Sequence, residues 1–192
     1  LTDSLLAVQN RDAKSAQRII DNDRNIDLDE VEIEEECLKV LALYQPVAAD
    51  LRFIVAILKI NNDLERIADL AVNIAERAIS LSQQPQNPFV YDFQPMIDVV
   101  QEMLSISISS LIELDVKSAQ KVCELDDTVD DFNRDMFKEI QKQMRSTPEN
   151  IEQLLQLLSI SRYLEKIADC TTNIAEDVIY MINGRIVRHN IG

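Results

Sequence analysis

Pairs of acidic residues spaced four apart are the feature of this sequence most suited to chemistry. Glu65 precedes Asp69 by four residues, and Glu165 precedes Asp169 by the same interval. On an α-helix that spacing places both carboxylates on one face. If adjacent helices bring two such pairs together, each half of the chain presents four carboxylates, an oxygen-rich site that suits hard or borderline cations. The additional pairs are Asp23 with Asp27 and Asp126 with Asp130.

Two interpretations of these pairs are open at this point. Acidic residues on a helix are commonly a solvated face, and Arg66 and Lys166 stand beside the carboxylates and offset part of their repulsion. Like charges four residues apart nevertheless destabilise a helix by roughly 0.2–0.5 kcal/mol per pair. Both halves keep the pairs at matched positions despite this cost, which favours a bound cation. A solvated face stays open as the other interpretation.

The two halves of the chain are copies of one unit. Residues 12–27 match residues 115–130 at seven of 16 positions, and residues 64–76 match residues 164–176 at nine of 13. The matches keep their order within each half. We therefore predict two tandem copies of one supersecondary unit, at residues 1–84 and 89–192, with the boundary in the polar, proline-containing stretch 83–88.

Each copy is predicted to contain three helices, which makes the fold all-α: two three-helix bundles related by an approximate two-fold axis. The first copy has helices over about 1–20, 23–43 and 46–82, and the second over about 93–124, 126–145 and 148–182. Pro46 is expected to begin a helix, Thr147 to cap one and Gly184 to end one. The acidic stripe should face away from the core, opposite an apolar stripe formed by Ile60, Leu64, Ile67, Ala71 and Ile74.

The composition excludes several classes of function. Glycine occurs only at Gly184 and Gly192, so glycine-rich phosphate loops and dinucleotide-binding motifs are absent. The single histidine is His189, near the C-terminal end, which argues against Ser-His-Asp and Cys-His catalytic groups. The net charge of −15 disfavours nucleic acid and anionic lipid and favours cations or basic proteins as partners.

Cysteine usage and hydropathy favour a cytoplasmic location. The three cysteines, Cys37, Cys123 and Cys170, lack zinc-binding spacing, so we expect reduced thiols. No apolar run is expected to approach the roughly 20 residues of a membrane helix, and we predict no direct membrane insertion. The sequence opens within a helical pattern and without Met, which predicts that the start of the first helix is missing.

Three motifs resemble those of the PhoU family of phosphate-signalling regulators. They are Pro46-Val-Ala-Ala-Asp-Leu-Arg52, Leu64-Glu-Arg-Ile-Ala-Asp69 and Asn73-Ile-Ala-Glu76. The last two recur as Leu164-Glu-Lys-Ile-Ala-Asp169 and Asn173-Ile-Ala-Glu176. The similarity extends over essentially the whole chain. The first motif is clear only in the first copy, so a partner that contacts it would meet one half of the protein.

The resemblance implies a non-enzymatic negative regulator of the phosphate-starvation response. Such a regulator links the ATPase subunit of the phosphate ABC transporter to a sensor histidine kinase, and a homodimer is also expected. Some family members bind multinuclear iron or zinc clusters on their surface through paired acidic motifs. By position, those motifs fall here on Asp23, Asp27, Glu65 and Asp69, and on Asp126, Asp130, Glu165 and Asp169.

Two other functions stay open. A metal-free helical adaptor would differ from the regulator only in metal content and in the identity of its partners. A carboxylate-bridged di-metal enzyme is disfavoured, because such sites use Glu-x-x-His motifs that project into a helix bundle. This chain has no Glu-x-x-His motif, and its acidic stripe is predicted to face outward.

Overall fold

Two three-helix units in tandem make up the fold. A computed structural model describes residues 1–85 and 92–184; part of the predicted boundary, and His189, lie outside the described residues. The described residues contain no strand, and the all-α prediction is confirmed. The helices are α1 (Thr2–Asn10), α2 (Ala13–Tyr44), α3 (Ala48–Ser82), α4 (Gln94–Glu113), α5 (Val116–Ser146) and α6 (Ile151–Asn183), with a 3₁₀ turn at Pro148–Asn150.

The break between the first two helices of each unit falls earlier in the chain than the sequence predicted. Arg11 and Leu114 adopt left-handed backbone conformations, with φ of 51° and 54°, and end α1 and α4. Asp12 and Asp115 then cap α2 and α5, because their carboxylates accept hydrogen bonds from backbone N–H groups two residues later. The prediction that the first helix reaches residue 20, or residue 124 in the second copy, is therefore wrong.

The other predicted helix ends are partly confirmed. Gly184 ends α6 with a φ of 67°, as expected for a glycine after a helix. Pro46 does not begin a helix, since α3 starts at Ala48 after an extended residue. Thr147 does not cap α6 with its side chain; its hydroxyl donates instead to the carbonyl oxygen of Gln143 at 2.9 Å, at the end of α5.

Helices α3 and α6 pack along each other and join the two units. Lys59 Nζ on α3 lies 3.0 Å from Oδ1 of Asp177 on α6 and 5.4 Å from the ring centroid of Tyr180. Farther along α3, Arg77 donates to Oε1 of Gln156 at 3.1 Å. From Lys59 to Arg77 along α3, the contacting residue on α6 changes from Asp177 back to Gln156. The two helices therefore run antiparallel.

Helix α1 is the counterpart of the second half of α4. The Ser4 hydroxyl donates to the carbonyl oxygen of Leu1 at 2.7 Å, and the Ser107 hydroxyl donates to that of Leu104 at 2.9 Å. Both serines are fully buried. The two hydrogen bonds fix the same alignment as the sequence repeat, with Leu1 matching Leu104.

Matched apolar positions in the two units differ in exposure. Three apolar positions are fully buried in the second unit, while their counterparts in the first are 36–42% exposed. The buried residues are Val129, Met136 and Leu164, and their counterparts are Ile26, Ile33 and Leu64. A groove of about 850 Å³ lies in this part of the first unit, with Ile26 and Leu64 in its lining. The two copies share one backbone plan.

Helix α4 contradicts the prediction that no apolar stretch approaches the length of a membrane helix. Gln94–Glu113 is long and apolar enough, with a mean hydropathy of 1.2, to cross a membrane by length and composition. Its Met96, Val100 and Met103 are buried in the core of the second unit. A core helix passes the same test of length and composition, so the absence of membrane insertion stays a prediction.

Candidate functional site

In each unit, a hydrogen bond at the same repeat position joins the second and third helices and helps to fix their packing. Nδ2 of Asn61 on α3 donates to the carbonyl oxygen of Glu30 on α2 at 2.8 Å. At the corresponding position of the second unit, the Ser161 hydroxyl donates to Oδ1 of Asn133 at 2.8 Å. Each bond satisfies a buried polar side chain, so its loss would be costly. The same alignment places the acidic pairs of adjacent helices together in both units.

The first acidic cluster consists of Asp23 and Asp27 on α2 and Glu65 and Asp69 on α3. Burial raises the pKa of Glu65, and the other three carboxylates raise it further. Burial also raises the pKa of Asp23, with added repulsion from Asp27 and Asp69. The four residues predicted from the sequence therefore lie close enough to repel one another. Glu30, which the sequence analysis did not include, also repels Glu65 and joins this cluster.

The second acidic cluster consists of Asp126 and Asp130 on α5 and Glu165 and Asp169 on α6. Burial raises the pKa of Asp126 to about 6, and Asp169 and Asp130 contribute. The nearby Thr172 hydroxyl opposes part of this shift in the pKa of Asp126. The pKa values of Glu165 and Asp169 are also raised, first by burial and then by neighbouring carboxylates. The acidic spacing predicts these four residues but not Thr172, whose counterpart in the first unit is Val72.

Basic residues connect the two units electrostatically. Arg66 of α3 and Lys166 of α6 both lower the pKa of Asp169, against the effect of burial. The sequence placed Arg66 beside the carboxylates of its own helix, whereas the structure shows it acting on the second cluster. It does so because α3 and α6 pack side by side, a proximity that spacing along one helix does not reveal.

The acidic clusters lie on the outside of the units, as expected. Asp27, Asp69, Asp130 and Asp169 are exposed, while the other four predicted residues are partly buried. Most of the predicted apolar stripe on α3 is buried. Leu64 departs from that prediction at 36% exposed.

The ligand types in these clusters suit a cation, but the positions of their side chains do not form a coordination site. In residues 1–85 and 92–184, no three His, Cys, Asp or Glu side chains converge closely enough to hold a metal ion. All eight predicted ligands are carboxylates, which suit hard or borderline cations. Mutual repulsion is relieved when a cation binds, so the electrostatics fit a metal. Coordination would require the exposed carboxylates to adopt other rotamers.

Neutralising Asp126 should stabilise the metal-free protein at neutral pH. Because the pKa of Asp126 is raised on folding, the folded chain binds this proton more tightly than the unfolded chain. The free energy of unfolding should therefore fall as the pH rises from about 4 to about 6. For Asp126→Asn we expect a gain of about 1–2 kcal/mol at pH 7, after allowing for solvent screening, and little change at pH 4.

The measurement is urea unfolding in EDTA at both pH values. Glu113→Gln is the matched control, since it removes one carboxylate from an exposed position at the end of α4. An Asp126→Asn variant that is no more stable than the Glu113→Gln variant at pH 7 would contradict the assignment of strain to this cluster.

Comparison with known proteins adds to this geometry. The family model described as "PhoU domain" matches residues 1–78 and 93–178. A relative from Aquifex aeolicus, named a phosphate-specific transport system accessory protein PhoU homolog, is 42% identical over 184 residues, which cover 95% of this chain and 83% of the relative. The Escherichia coli phosphate-specific transport system accessory protein PhoU is 30% identical, over 98% of this chain and 78% of that protein.

Solved structures show the same architecture. The crystal structure of PhoU from Pseudomonas aeruginosa matches with a TM-score of 0.92 and 35% identity, over 96% of this chain and 88% of that one. The phosphate transport system regulatory protein PhoU from Streptococcus pneumoniae matches with a TM-score of 0.90 and 29% identity, over 97% and 87% of the two chains. The repeat, the fold and these relatives agree, and the chain belongs to the PhoU family.

Proposed function

We propose that this protein is an accessory regulator of phosphate transport. The observation that carries the proposal is the match over nearly the whole chain to relatives named as phosphate-specific transport system accessory proteins. Those names describe accessory and regulatory proteins rather than enzymes, and we propose a non-enzymatic role in the cytoplasm. The protein would act as a negative regulator of phosphate uptake and of the phosphate-starvation response.

The partners we propose are the ATPase subunit of the phosphate ABC transporter and a sensor histidine kinase. Long helical faces and a net charge of −15 support docking to proteins with basic surfaces. When phosphate is plentiful, the regulator would contact both partners and hold the kinase in a state that favours its phosphatase activity. We also propose that the protein forms a homodimer.

We further propose that the two acidic clusters bind iron or zinc. Asp23, Asp27, Glu65 and Asp69 would hold one metal centre, and the four residues of the second cluster would hold the other. The bound cation would supply positive charge that relieves the repulsion among these carboxylates. The raised pKa values of Glu65 and Asp126 support this assignment.

A metal-free adaptor is the second candidate, and one observation favours it. As placed in the described part of the chain, the acidic side chains do not converge on a common point. In that case the clusters are solvated faces whose charge attracts a basic partner. The two candidates differ in metal content and in the identity of their partners, and metal analysis tests the first of these differences.

Association with the transporter tests the proposed function. The purified protein should bind the purified ATPase subunit reversibly, and binding should weaken as salt rises, because opposite charges would contribute to it. Isothermal titration calorimetry at two salt concentrations measures both effects. A folded protein that binds neither the ATPase subunit nor the cytoplasmic part of the kinase would contradict the proposal.

A further inference from the structure

The turn between α2 and α3 carries an exposed apolar surface. Leu43, Tyr44 and Val47 are 74%, 76% and 73% exposed, and Leu51 in the first turns of α3 is 41% exposed. All four residues lie within five positions of Pro46, and we call them the turn patch. Contiguous exposed apolar residues of this kind mark interaction sites on proteins that are otherwise well solvated.

The fold does not require this patch, because the second unit builds the corresponding turn from mostly polar residues. Around the α5–α6 turn the exposed residues are Arg145, Ser146, Pro148 and Glu149, together with Ile151, the counterpart of Leu51. Two copies of one unit therefore solve the same turn with different surfaces. The apolar side chains of the first copy are therefore not needed to end one helix and start the next.

The backbone of the turn has a restricted conformation. Gln45 and Ala48 both have positive φ, 46° and 51°, although neither is glycine. Such residues lie in a sparsely populated region and persist where the surroundings determine them. Pro46 between them fixes its own φ, which lowers the freedom of the turn further. A pre-ordered apolar surface loses less entropy when a partner docks.

Charge around the turn patch defines the chemistry of its occupant. Exposed acidic residues line α2 on the approach to the turn, and Asp50 follows it. Lys39 is the basic residue of α2 nearest the turn, and its ammonium already contacts Glu36 at 2.5 Å. The acidic residues on the approach are Glu32, Glu34, Glu35 and Glu36. An occupant that matches this surface presents apolar side chains beside basic ones.

We propose that the turn patch docks a basic amphipathic helix of a partner protein. The inference rests on the proposed function, in which that partner is the ATPase subunit of the transporter, and it assigns the contact to the first unit alone. The apolar face of the partner helix packs on Leu43, Tyr44 and Val47. Its basic residues lie along the acidic face of α2.

The test compares two triple variants for affinity to the ATPase subunit. The first, Leu43→Ser/Tyr44→Ser/Val47→Ser, removes the patch. The second removes three exposed apolar residues of the second unit, Ile112→Ser/Phe137→Ser/Leu155→Ser. We expect at least about a tenfold loss of affinity for the patch variant, since central apolar contacts dominate binding. The control variant should stay within about twofold of the parent.

Other outcomes overturn the inference, and they are distinguishable from a failure of the proposed function. If the parent binds the ATPase subunit and the patch variant binds equally well, the docking site is elsewhere. If the patch variant loses a dimer seen for the parent by sedimentation while its binding is kept, the occupant is a second copy. If its unfolding temperature falls by several degrees while its binding is kept, the patch is covered by the protein's own chain.

A parent that does not bind defeats the proposed function and the docking inference together. Circular dichroism of both variants confirms their helix content.

Discussion

Protein purified without a chelator should carry iron or zinc, and a variant that lacks four cluster carboxylates should carry none. The two acidic clusters have only carboxylate oxygens as predicted ligands, and their members repel one another when no cation is present. Removing two carboxylates from each cluster leaves too few anionic oxygens to hold a cation. The change is all or none, and elemental analysis by mass spectrometry measures it. The variant is Asp27→Ala/Asp69→Ala/Asp130→Ala/Asp169→Ala.

The control must remove the same charge outside the clusters. Four exposed glutamates serve this purpose, and the control should keep the metal content of the parent: Glu32→Ala/Glu34→Ala/Glu113→Ala/Glu149→Ala. In EDTA the cluster variant should unfold at a higher temperature than the parent, because it has lost repulsion without losing a bound cation. Parent protein that stays metal-free after reconstitution with ferrous iron or zinc would leave the clusters as solvated faces. The regulator would then be the metal-free adaptor.

The fold was predictable because the internal repeat makes the pattern redundant. Nine identities between residues 64–76 and 164–176 identify the third helix of each unit, and their apolar spacing identifies the buried side. The helix breaks were harder to predict. Asp12 and Asp115 begin the matched stretches of the repeat, with Lys two and Ser three residues later. This capping pattern lies inside a longer apolar pattern that favours one continuous helix.

The acidic clusters were predicted from helix spacing, but their detailed environment was not. Spacing along one helix shows that Glu65 and Asp69 share a face. It does not show that Glu30 faces them from α2, or that Arg66 reaches a carboxylate of the other unit. Those contacts depend on how helices pack, which the buried hydrogen bond from Asn61 to α2 helps to set.

The difference between the two units also lay beyond the sequence pattern. Leu64 and Leu164 occupy the same repeat position and belong to the same apolar stripe, yet Leu64 is 36% exposed and Leu164 fully buried. Burial depends on the elements that pack over the stripe. Periodicity identifies which residues can enter a core, while neighbouring elements decide whether they do.

Phosphate uptake by bacteria that lack their own PhoU protein tests the central claim most directly. Under phosphate-replete conditions, such cells with an empty vector should take up phosphate rapidly and express phosphate-starvation genes. Producing this chain should lower both toward the levels of the undeleted strain, because the regulator would again contact the transporter and the kinase. Uptake of labelled phosphate, with the protein level checked by immunoblot, is the measurement. Uptake that stays high while the folded chain accumulates would contradict a role in regulating phosphate transport.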